Sequence, residues 1–255
     1  MRADVTNLGM QRLPRLVTSA KTNNTTINMK AHMTSKPILG IITIGQSPRP
    51  DFERAFGAHA PNAEVRVMGA LDGLSHAEID ALAAKPTNYP LLVKLADQST
   101  RSIGMAEIHK QVQIRANDFA ALGAKVIVVA CAGGFPDIHS TSLVVMPGKI
   151  VPAIANAIAP RCRIGIVSPL REQAPAAEAK WRADGFDPLV TWMSPFGNHQ
   201  FDEPVAVMSD PSIELVVLDC LGHNDDDRRE FSRMCGKPVL LAQTIAARVA
   251  GELIG

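Results

Sequence analysis

Short apolar runs alternate with amphipathic segments along most of the chain. The runs at residues 36–44 and 125–130 are almost continuously apolar, which is typical of strands buried on both faces of a parallel sheet. Residues 103–122 repeat apolar positions with the helical period, and Gly123 follows as a helix stop. The same pattern predicts further strands at residues 64–68, 91–95, 163–167, 189–192, 214–219 and 237–241, and further helices from residue 50, from residue 75, at 174–183 and at 244–254. Strands that alternate with helices predict an α/β protein with mostly parallel sheets.

The two halves of the chain are similar to each other. The stretch Val126–Gly133 (VIVVACAG) aligns with Leu215–Gly222 (LVVLDCLG), with a cysteine at the same position in both. Earlier in each half, Gly40–Thr43 (GIIT) aligns with Gly165–Ser168 (GIVS). The longer spacing in the first half predicts an insertion between Gly69 and Arg101. Strands of this kind also match by chance, but the shared cysteine position favours a true internal duplication into two related lobes.

The first 35 residues differ from the rest. The chain up to Lys36 carries six basic residues and a single acidic one, Asp4, and it lacks hydrophobic periodicity. We therefore expect residues 1–35 to form a disordered basic tail. Two alternatives stay open: an organellar targeting peptide, or a translation start that lies instead at Met29 or Met33.

The composition is that of an ordinary globular protein and excludes several classes. Apolar residues make up 46% and charged residues 20% of the 255 residues, which excludes a disordered chain or a coiled coil. A net charge of +1 with only 4% aromatic residues argues against nucleic acid as a partner. No apolar run reaches the ~18 residues that a membrane span needs, so we expect no membrane partner.

Four cysteines carry the strongest chemical signal: Cys131, Cys162, Cys220 and Cys235. None of them forms a CxxC pair, which argues against zinc-ribbon and thioredoxin-type sites. We expect free thiols in a reducing cytoplasm. The sequence also lacks a phosphate-binding glycine loop and a close group of metal-ligand residues, so we expect neither a cofactor nor a metal.

Cys131 and Cys220 follow equivalent predicted strands, and ligands of parallel α/β sheets bind beyond the carboxyl ends of strands. Two facing lobes then place one thiol on each side of a cleft. A thiolate on one face of a carbon removes a proton, and a thiol on the other face returns one. Each sulfur needs roughly 3–3.5 Å to that carbon, so the sulfurs should lie about 6–7 Å apart. The alternative is that both are small buried hydrophobic residues, which is how we interpret Cys162 and Cys235.

Polar residues that follow the first strand of each half are the candidate ligands for a substrate. Gln46, Ser47 and Arg49 form a polar loop in which Arg49 suits a bidentate clamp on a carboxylate. Ser168 occupies the equivalent place in the second half, where it binds substrate or caps a helix before Pro169. The alternative for the first loop is a solvated surface loop.

Several motifs together resemble the AroM family, within the aspartate/glutamate/hydantoin racemase superfamily. These motifs are TIGQSPRPD (Thr43–Asp51), the Cys131 turn ending in GFP, SPLREQ (Ser168–Gln173), Lys180-Trp181, SPF (Ser194–Phe196), DCLG (Asp219–Gly222) and residues 238–254. The resemblance implies two pseudo-symmetric α/β lobes with the active site between them, and catalytic roles for Cys131 and Cys220. It also implies that the final helix packs on the first lobe. We therefore divide the chain into a first lobe of residues 36–135 plus 237–255 and a second lobe of residues 136–236.

The sequence departs from the superfamily beside both cysteines. Superfamily racemases usually have Asn-Thr after the first cysteine, whereas Ala132 and Gly133 offer a substrate only backbone groups. Gly222 likewise lets the backbone of the second turn approach a ligand. His223 either tunes the Cys220 thiolate or is solvated at a helix start. Asp219 points away from Cys220 by strand alternation and either positions the loop or acts on substrate.

The resemblance implies a cofactor-independent racemase or epimerase of a small carboxylate, such as an amino acid or a hydantoin-like compound. Three alternatives stay open on the same fold: a single-cysteine decarboxylase, a cis–trans isomerase and a non-catalytic protein that binds a small acid. The expected partner is the small carboxylate, and a homodimer is an assembly that the sequence allows.

Overall fold

A computed structural model describes residues 36–197 and 200–255. The expectations for residues 1–35 lie outside the described residues. Within the described ranges, no helix is both long enough and apolar enough to cross a membrane.

The described chain contains ten strands and eight α-helices. The strands are β1 (Ile38–Thr43), β2 (Glu64–Gly69), β3 (Pro90–Lys94), β4 (Thr100–Gly104), β5 (Val126–Ala130), β6 (Leu143–Val145), β7 (Arg163–Ser168), β8 (Asp187–Trp192), β9 (Leu215–Leu218) and β10 (Val239–Leu241). The helices are α1 (Pro50–Gly57), α2 (His76–Ala83), α3 (Met105–Ala121), α4 (Pro147–Ile158), α5 (Ala174–Ala183), α6 (Asp202–Met208), α7 (Asp225–Cys235) and α8 (Ala242–Ile254). A single 3₁₀ turn, Arg171–Gln173, leads into α5.

Two four-stranded parallel sheets repeat one topology. The first sheet has the order β2-β1-β5-β6, and the second has the order β8-β7-β9-β10. Each order places the first strand of its half beside the strand that leads to the cysteine. The predicted fold class, an α/β protein with two pseudo-symmetric parallel-sheet lobes, is confirmed. The predicted insertion contains α2 and an antiparallel hairpin, β3–β4, which belongs to neither parallel sheet.

Strand alternation divides the core into three parts. One face of each sheet packs into a shared core: Leu39, Ile41 and Val128 from the first sheet meet Ile166 and Val217 from the second. The opposite face of the first sheet packs on α3 and the inserted hairpin, and the opposite face of the second packs on α6 and α7. The shared core fixes the two sheets against each other, and with them the carboxyl ends of their central strands.

The end of the chain connects both lobes. Strand β10 pairs with β9 in the second sheet, whereas α8 packs against α1, α4 and β5 of the first. The packing of the final helix on the first lobe, which the resemblance implied, is therefore seen. Sheet membership differs from the predicted lobe boundaries at two places: β6 joins the first sheet although it follows residue 135, and β10 joins the second although it follows residue 237. The boundaries themselves stay predictions.

Candidate active site

Cys131 and Cys220 line the same pocket. Cys131 is the first residue after β5, and Cys220 follows β9 with only Asp219 between them, so both lie at the carboxyl ends of central strands. The pocket has an empty volume of about 460 Å³, which includes space open to solvent. Residues from the β1 exit, from the inserted hairpin and from the segment after β8 also line it. Both are free cysteines, and as whole residues both are half-buried. The sheet topology thus brings together the two predicted catalytic residues.

The two thiols have the same local geometry. The backbone N–H of Gly133 donates to Sγ of Cys131, and the backbone N–H of Gly222 donates to Sγ of Cys220, each at 3.3 Å. In both turns the donor lies two residues after the cysteine. An N–H aimed at sulfur stabilises a thiolate, so each Cys-X-Gly turn is arranged to hold a negatively charged sulfur.

The surroundings of the two thiols differ in charge. Burial raises the pKa of Cys131 to about 12, and the nearby Cys220 and Asp219 charges add to this effect, while the Lys180 ammonium opposes it. Burial also raises the pKa of Cys220, to about 11, and there the Arg49 guanidinium lowers it. Both thiols are therefore protonated at neutral pH in the ligand-free protein, and Cys220 ionises more readily.

One ammonium group connects the two cysteine turns. Nζ of Lys180, on α5, donates to the carbonyl oxygen of Ala132 at 2.8 Å and lies 3.4 Å from Oδ2 of Asp219. Asp219 also accepts a hydrogen bond of 2.8 Å from Nε1 of Trp181. The side chains of Lys180 and Asp219 are 9% and 6% exposed, so this is a buried ion pair. These contacts hold the Asp219 side chain against α5, and whether it positions the Cys220 turn or acts on substrate stays a prediction.

Arg49 lines the pocket, but its guanidinium is already occupied. Nε donates to Oδ1 of Asp51 at 2.9 Å, and a second nitrogen donates to Oδ2 at 2.5 Å. A third nitrogen donates to Oγ1 of Thr43, and the guanidinium carbon lies 3.8 Å from the centre of the Phe52 ring. Burial raises the pKa of Asp51, but the Arg49 hydrogen bond and charge outweigh this and lower it below its ordinary value. The bidentate clamp predicted for a substrate carboxylate is thus directed at Asp51.

The inserted hairpin contributes a second cation. Lys94, the last residue of β3, lines the pocket with its Nζ 5.0 Å from the centre of the Phe196 ring. The backbone N–H of Gln46 donates to the Lys94 carbonyl at 3.0 Å, which fixes the hairpin to the β1 exit. This close approach requires Gly45, because a Cβ there would lie 2.0 Å from the Lys94 oxygen.

The structure places four of the predicted binding residues in the pocket and four outside its lining. Arg49, Ala132, Gly133 and Gly222 line it, whereas Gln46, Ser47, Ser168 and His223 do not. The Gln46 amide donates to the carbonyls of Leu71 and Leu74 and accepts from the Ala96 N–H. Ser47 donates both its N–H and its hydroxyl to Asp72. These polar groups hold the loop in place, and their role in substrate binding stays a prediction.

Ser168 and His223 are buried beside the site. Ser168 is 1% exposed, and its hydroxyl has no hydrogen-bond partner within the described ranges, so it does not cap a helix. His223 is fully buried, with Nδ1 3.4 Å from Oδ2 of Asp227. It is therefore not solvated at the start of α7, which was one of the two sequence interpretations.

Four residues at the site were not among the predicted binding residues: Lys94, Gln173, Phe196 and Lys180. Three of them lie in motifs that carried the family resemblance, and this was the available signal. For Lys94 the sequence held no such signal, because the sequence around a lone lysine in a short predicted strand does not show towards which side its side chain points. Among residues 36–197 and 200–255, no three His, Cys, Asp or Glu side chains group in a way that would hold a metal ion.

The comparisons with known proteins agree with this architecture. The family model described as AroM protein matches residues 39–254. No curated protein matches the sequence.

Among solved structures, a liganded, doubly substituted arylmalonate decarboxylase superimposes with a TM-score of 0.54 at 14% identity, over 86% of this chain and 93% of that one. Allantoin racemase from Klebsiella pneumoniae gives 0.53 at 15% identity, over 86% and 87% of the two chains. Aspartate racemase from Picrophilus torridus gives 0.53 at 10% identity, over 86% and 94%. At these identities, the similarity shows a shared fold.

Proposed function

This chain belongs to the AroM family, and from that premise we propose that it is a cofactor-independent racemase or epimerase of a small carboxylate that uses two thiols. One observation carries the proposal. Cys131 and Cys220 follow equivalent strands, receive equivalent N–H donors and line one pocket. Allantoin and aspartate racemases with the same fold make racemisation the natural first candidate.

The proposed reaction moves one proton at each face of a carbon next to the carboxylate. One thiolate removes the Cα proton, so the C–H bond breaks and its electron pair stays on the substrate. The opposite thiol then donates its proton to the other face, forming the new C–H bond. The first cysteine ends as a thiol and the second as a thiolate, so the reverse turnover starts from the opposite enantiomer. Nothing is oxidised or reduced.

Because the pKa values of both thiols are raised, the reaction requires the protein to stabilise one of them as a thiolate. A thiol with a pKa near 11 is ionised in roughly one molecule in 10⁴ at pH 7. The Gly133 and Gly222 N–H groups and the charges of Arg49 and Lys180 all favour the thiolate. We therefore expect turnover to increase as the pH rises from 7 towards 10, by about tenfold per unit.

A decarboxylase with a single essential thiol is the second candidate, and the protonated state of the thiols favours it. In that reaction the bond between Cα and the carboxylate breaks, CO₂ leaves, and the electron pair remains on Cα. One thiol donates its proton to that carbon and regains a proton from water. This sequence needs no thiolate at the start, and arylmalonate decarboxylase has the same fold.

The test is deuterium incorporation at Cα in deuterated water, with both enantiomers of a panel of amino acids, hydroxy acids and hydantoins. The variants are Cys131→Ser, Cys220→Ser and, as a control away from the pocket, Cys162→Ser. We expect the first two to lose exchange by about 10²–10⁴-fold and the control to keep it. Loss in only one of the two cysteine variants, together with CO₂ release from a malonate, would establish the decarboxylase. No exchange and no CO₂ from any compound would refute both.

We also propose a cytoplasmic location, because all four cysteines are free thiols, which persist in a reducing compartment.

A further inference from the structure

The charges that line the pocket are unequally compensated. Three charged side chains line it: Arg49, Lys94 and Asp219. Arg49 is paired with Asp51, and Asp219 is paired with Lys180. Lys94 has no carboxylate within ion-pair distance anywhere in the described part of the chain. The Lys94 charge also acts on Asp51 and helps to lower its pKa, but that carboxylate already pairs with Arg49. The cations Arg49, Lys94 and Lys180 therefore outnumber the carboxylates Asp51 and Asp219 by one, which favours a ligand with one negative charge.

The pocket offers no carboxylate that an ammonium group could use. Asp219 already accepts from Trp181 Nε1, and its charge is balanced by Lys180 Nζ at 3.4 Å. A substrate ammonium placed beside Asp219 would also lie beside Lys180, and elsewhere in the pocket it would face Arg49 or Lys94. Like charges held close together in a partly buried site are costly. A zwitterionic amino acid is therefore disfavoured.

Apolar side chains form most of the remaining lining. They come from the inserted hairpin, from α1 and from the second lobe: Phe52, Leu91, Leu92, Pro169, Phe196 and Leu221. Gln173, the other large polar side chain there, is uncharged and only 5% exposed. Such a wall gains free energy from burying an apolar group and gives no partner to a second charge.

We propose that the substrate is a carboxylate with an apolar substituent and without an ammonium group, and that Lys94 binds its carboxylate. The inference rests on the proposed function, because it concerns the same pocket and the same thiols. It changes the substrate class expected from the sequence, where an amino acid was one of two candidates. It also gives the inserted hairpin a purpose, since β3 supplies Lys94, Leu91 and Leu92.

The first experiment compares the binding of matched ligands to the full chain by calorimetry or ligand-observed NMR. Mandelate and phenylglycine share carbon skeleton, ring and carboxylate, and differ in a hydroxyl against an ammonium. We expect each enantiomer of mandelate to bind at least tenfold more tightly than the matching phenylglycine, and more tightly than lactate, which lacks the ring. Equal or tighter binding of phenylglycine, or no binding by any of the carboxylates, would overturn the inference.

The second experiment removes the proposed carboxylate ligand. Lys94→Gln should weaken mandelate at least tenfold and leave the neutral mandelamide unchanged, while Lys94→Arg should retain the preference for the anion. Lys110→Gln, which removes an exposed lysine on α3 that lies outside the pocket lining, is the matched control and should change neither ligand. Thermal unfolding of each variant shows whether it is folded. An unchanged preference for mandelate over mandelamide in folded Lys94→Gln would show that Lys94 is not the ligand.

Binding and turnover fail separately in this design. If mandelate binds better than phenylglycine but no deuterium enters Cα, the substrate class stands and the racemase proposal falls. If an amino acid exchanges its Cα proton and binds at least as well as its hydroxy counterpart, the racemase proposal stands and the substrate class falls.

Discussion

The two cysteine turns occupy equivalent positions in the two lobes, yet they lie in different surroundings. Both follow the third strand of a sheet with the same strand order. In both, a backbone nitrogen two residues further on donates a hydrogen bond to the cysteine sulfur at a distance of 3.3 Å. The Asp219 charge raises the pKa of both thiols, but the opposing cation differs: it is Lys180 for Cys131 and Arg49 for Cys220. The repeated strand order thus accounts for the equivalent positions of the two thiols, and their different neighbours account for their unequal ionisation.

The two turns share one support, and removing it should have the largest effect. Lys180→Met leaves the Asp219 carboxylate buried without its cation and frees the Ala132 carbonyl, so we expect a loss of about 3–5 kcal/mol in the free energy of unfolding. Urea denaturation measures this loss. The double variant Lys180→Met/Asp219→Asn should recover part of it, because no charge is then left unpaired.

An exposed ion pair is the control for that prediction. Lys149 pairs with Asp137 where both side chains are more than half exposed, so Lys149→Met should leave the free energy of unfolding nearly unchanged. A loss in Lys180→Met no larger than in this control would show that the buried pair does not hold the two turns together.

Adding a methyl group at the equivalent glycines should reveal how differently the two turns are packed. A Cβ at Gly222 would lie 2.8 Å from Cγ of Pro195, whereas a Cβ at Gly133 would lie 3.3 Å from Cys131 Sγ and Met105 Cε. The proline ring is stiff and the methionine end is flexible. We therefore expect Gly222→Ala to destabilise by about 1–3 kcal/mol and Gly133→Ala by less than about 1 kcal/mol. Equal losses in urea denaturation would contradict this difference in packing.

The smallest expected effect is a difference in thiol reactivity. With pKa values of about 11 and about 12, Cys220 has about tenfold more thiolate than Cys131 at any pH below both. The less basic thiolate is intrinsically less nucleophilic, so the advantage falls to about threefold. Peptide mass spectrometry after brief iodoacetamide treatment at pH 9 measures the ratio. Both rates should still rise with pH at pH 10, and a plateau near pH 8.5–9 would mean that burial does not raise the pKa values.

Local sequence predicted the elements that carry the thiols. Apolar runs located β5 and β9, and the repeated Cys-X-Gly placed both sulfurs at strand ends. The hydrophobic pattern was a weaker predictor of secondary structure where tertiary contacts determine which element forms. Strand β4 was not predicted, because Thr100–Gly104 is short and gains its stability from pairing with β3. Helix α4 was not predicted either, and it contains an internal Pro152.

For the predicted binding residues, the sequence located the side chains in the fold but not the partners that they bind. Arg49 was correctly expected at the β1 exit, but whether its guanidinium faces substrate or Asp51 depends on a side-chain arrangement. Gln46 and Ser47 were candidates because they are polar and follow a buried strand. Their hydrogen bonds go to residues 71, 72, 74 and 96, and this pairing is known only once the inserted segment is folded against the loop. Lys94 reaches the pocket through the same docking.

The position of α8 has a consequence for how the protein is made. This helix follows every other described element, yet Ala246 and Ala250 complete the core between α1 and β5 near the beginning of the fold. During synthesis on the ribosome, the first lobe therefore waits with an uncovered apolar face until the whole second lobe has been translated. The core of the first lobe is thus completed only after α8 has been synthesised, and apolar surface that stays uncovered until then favours aggregation.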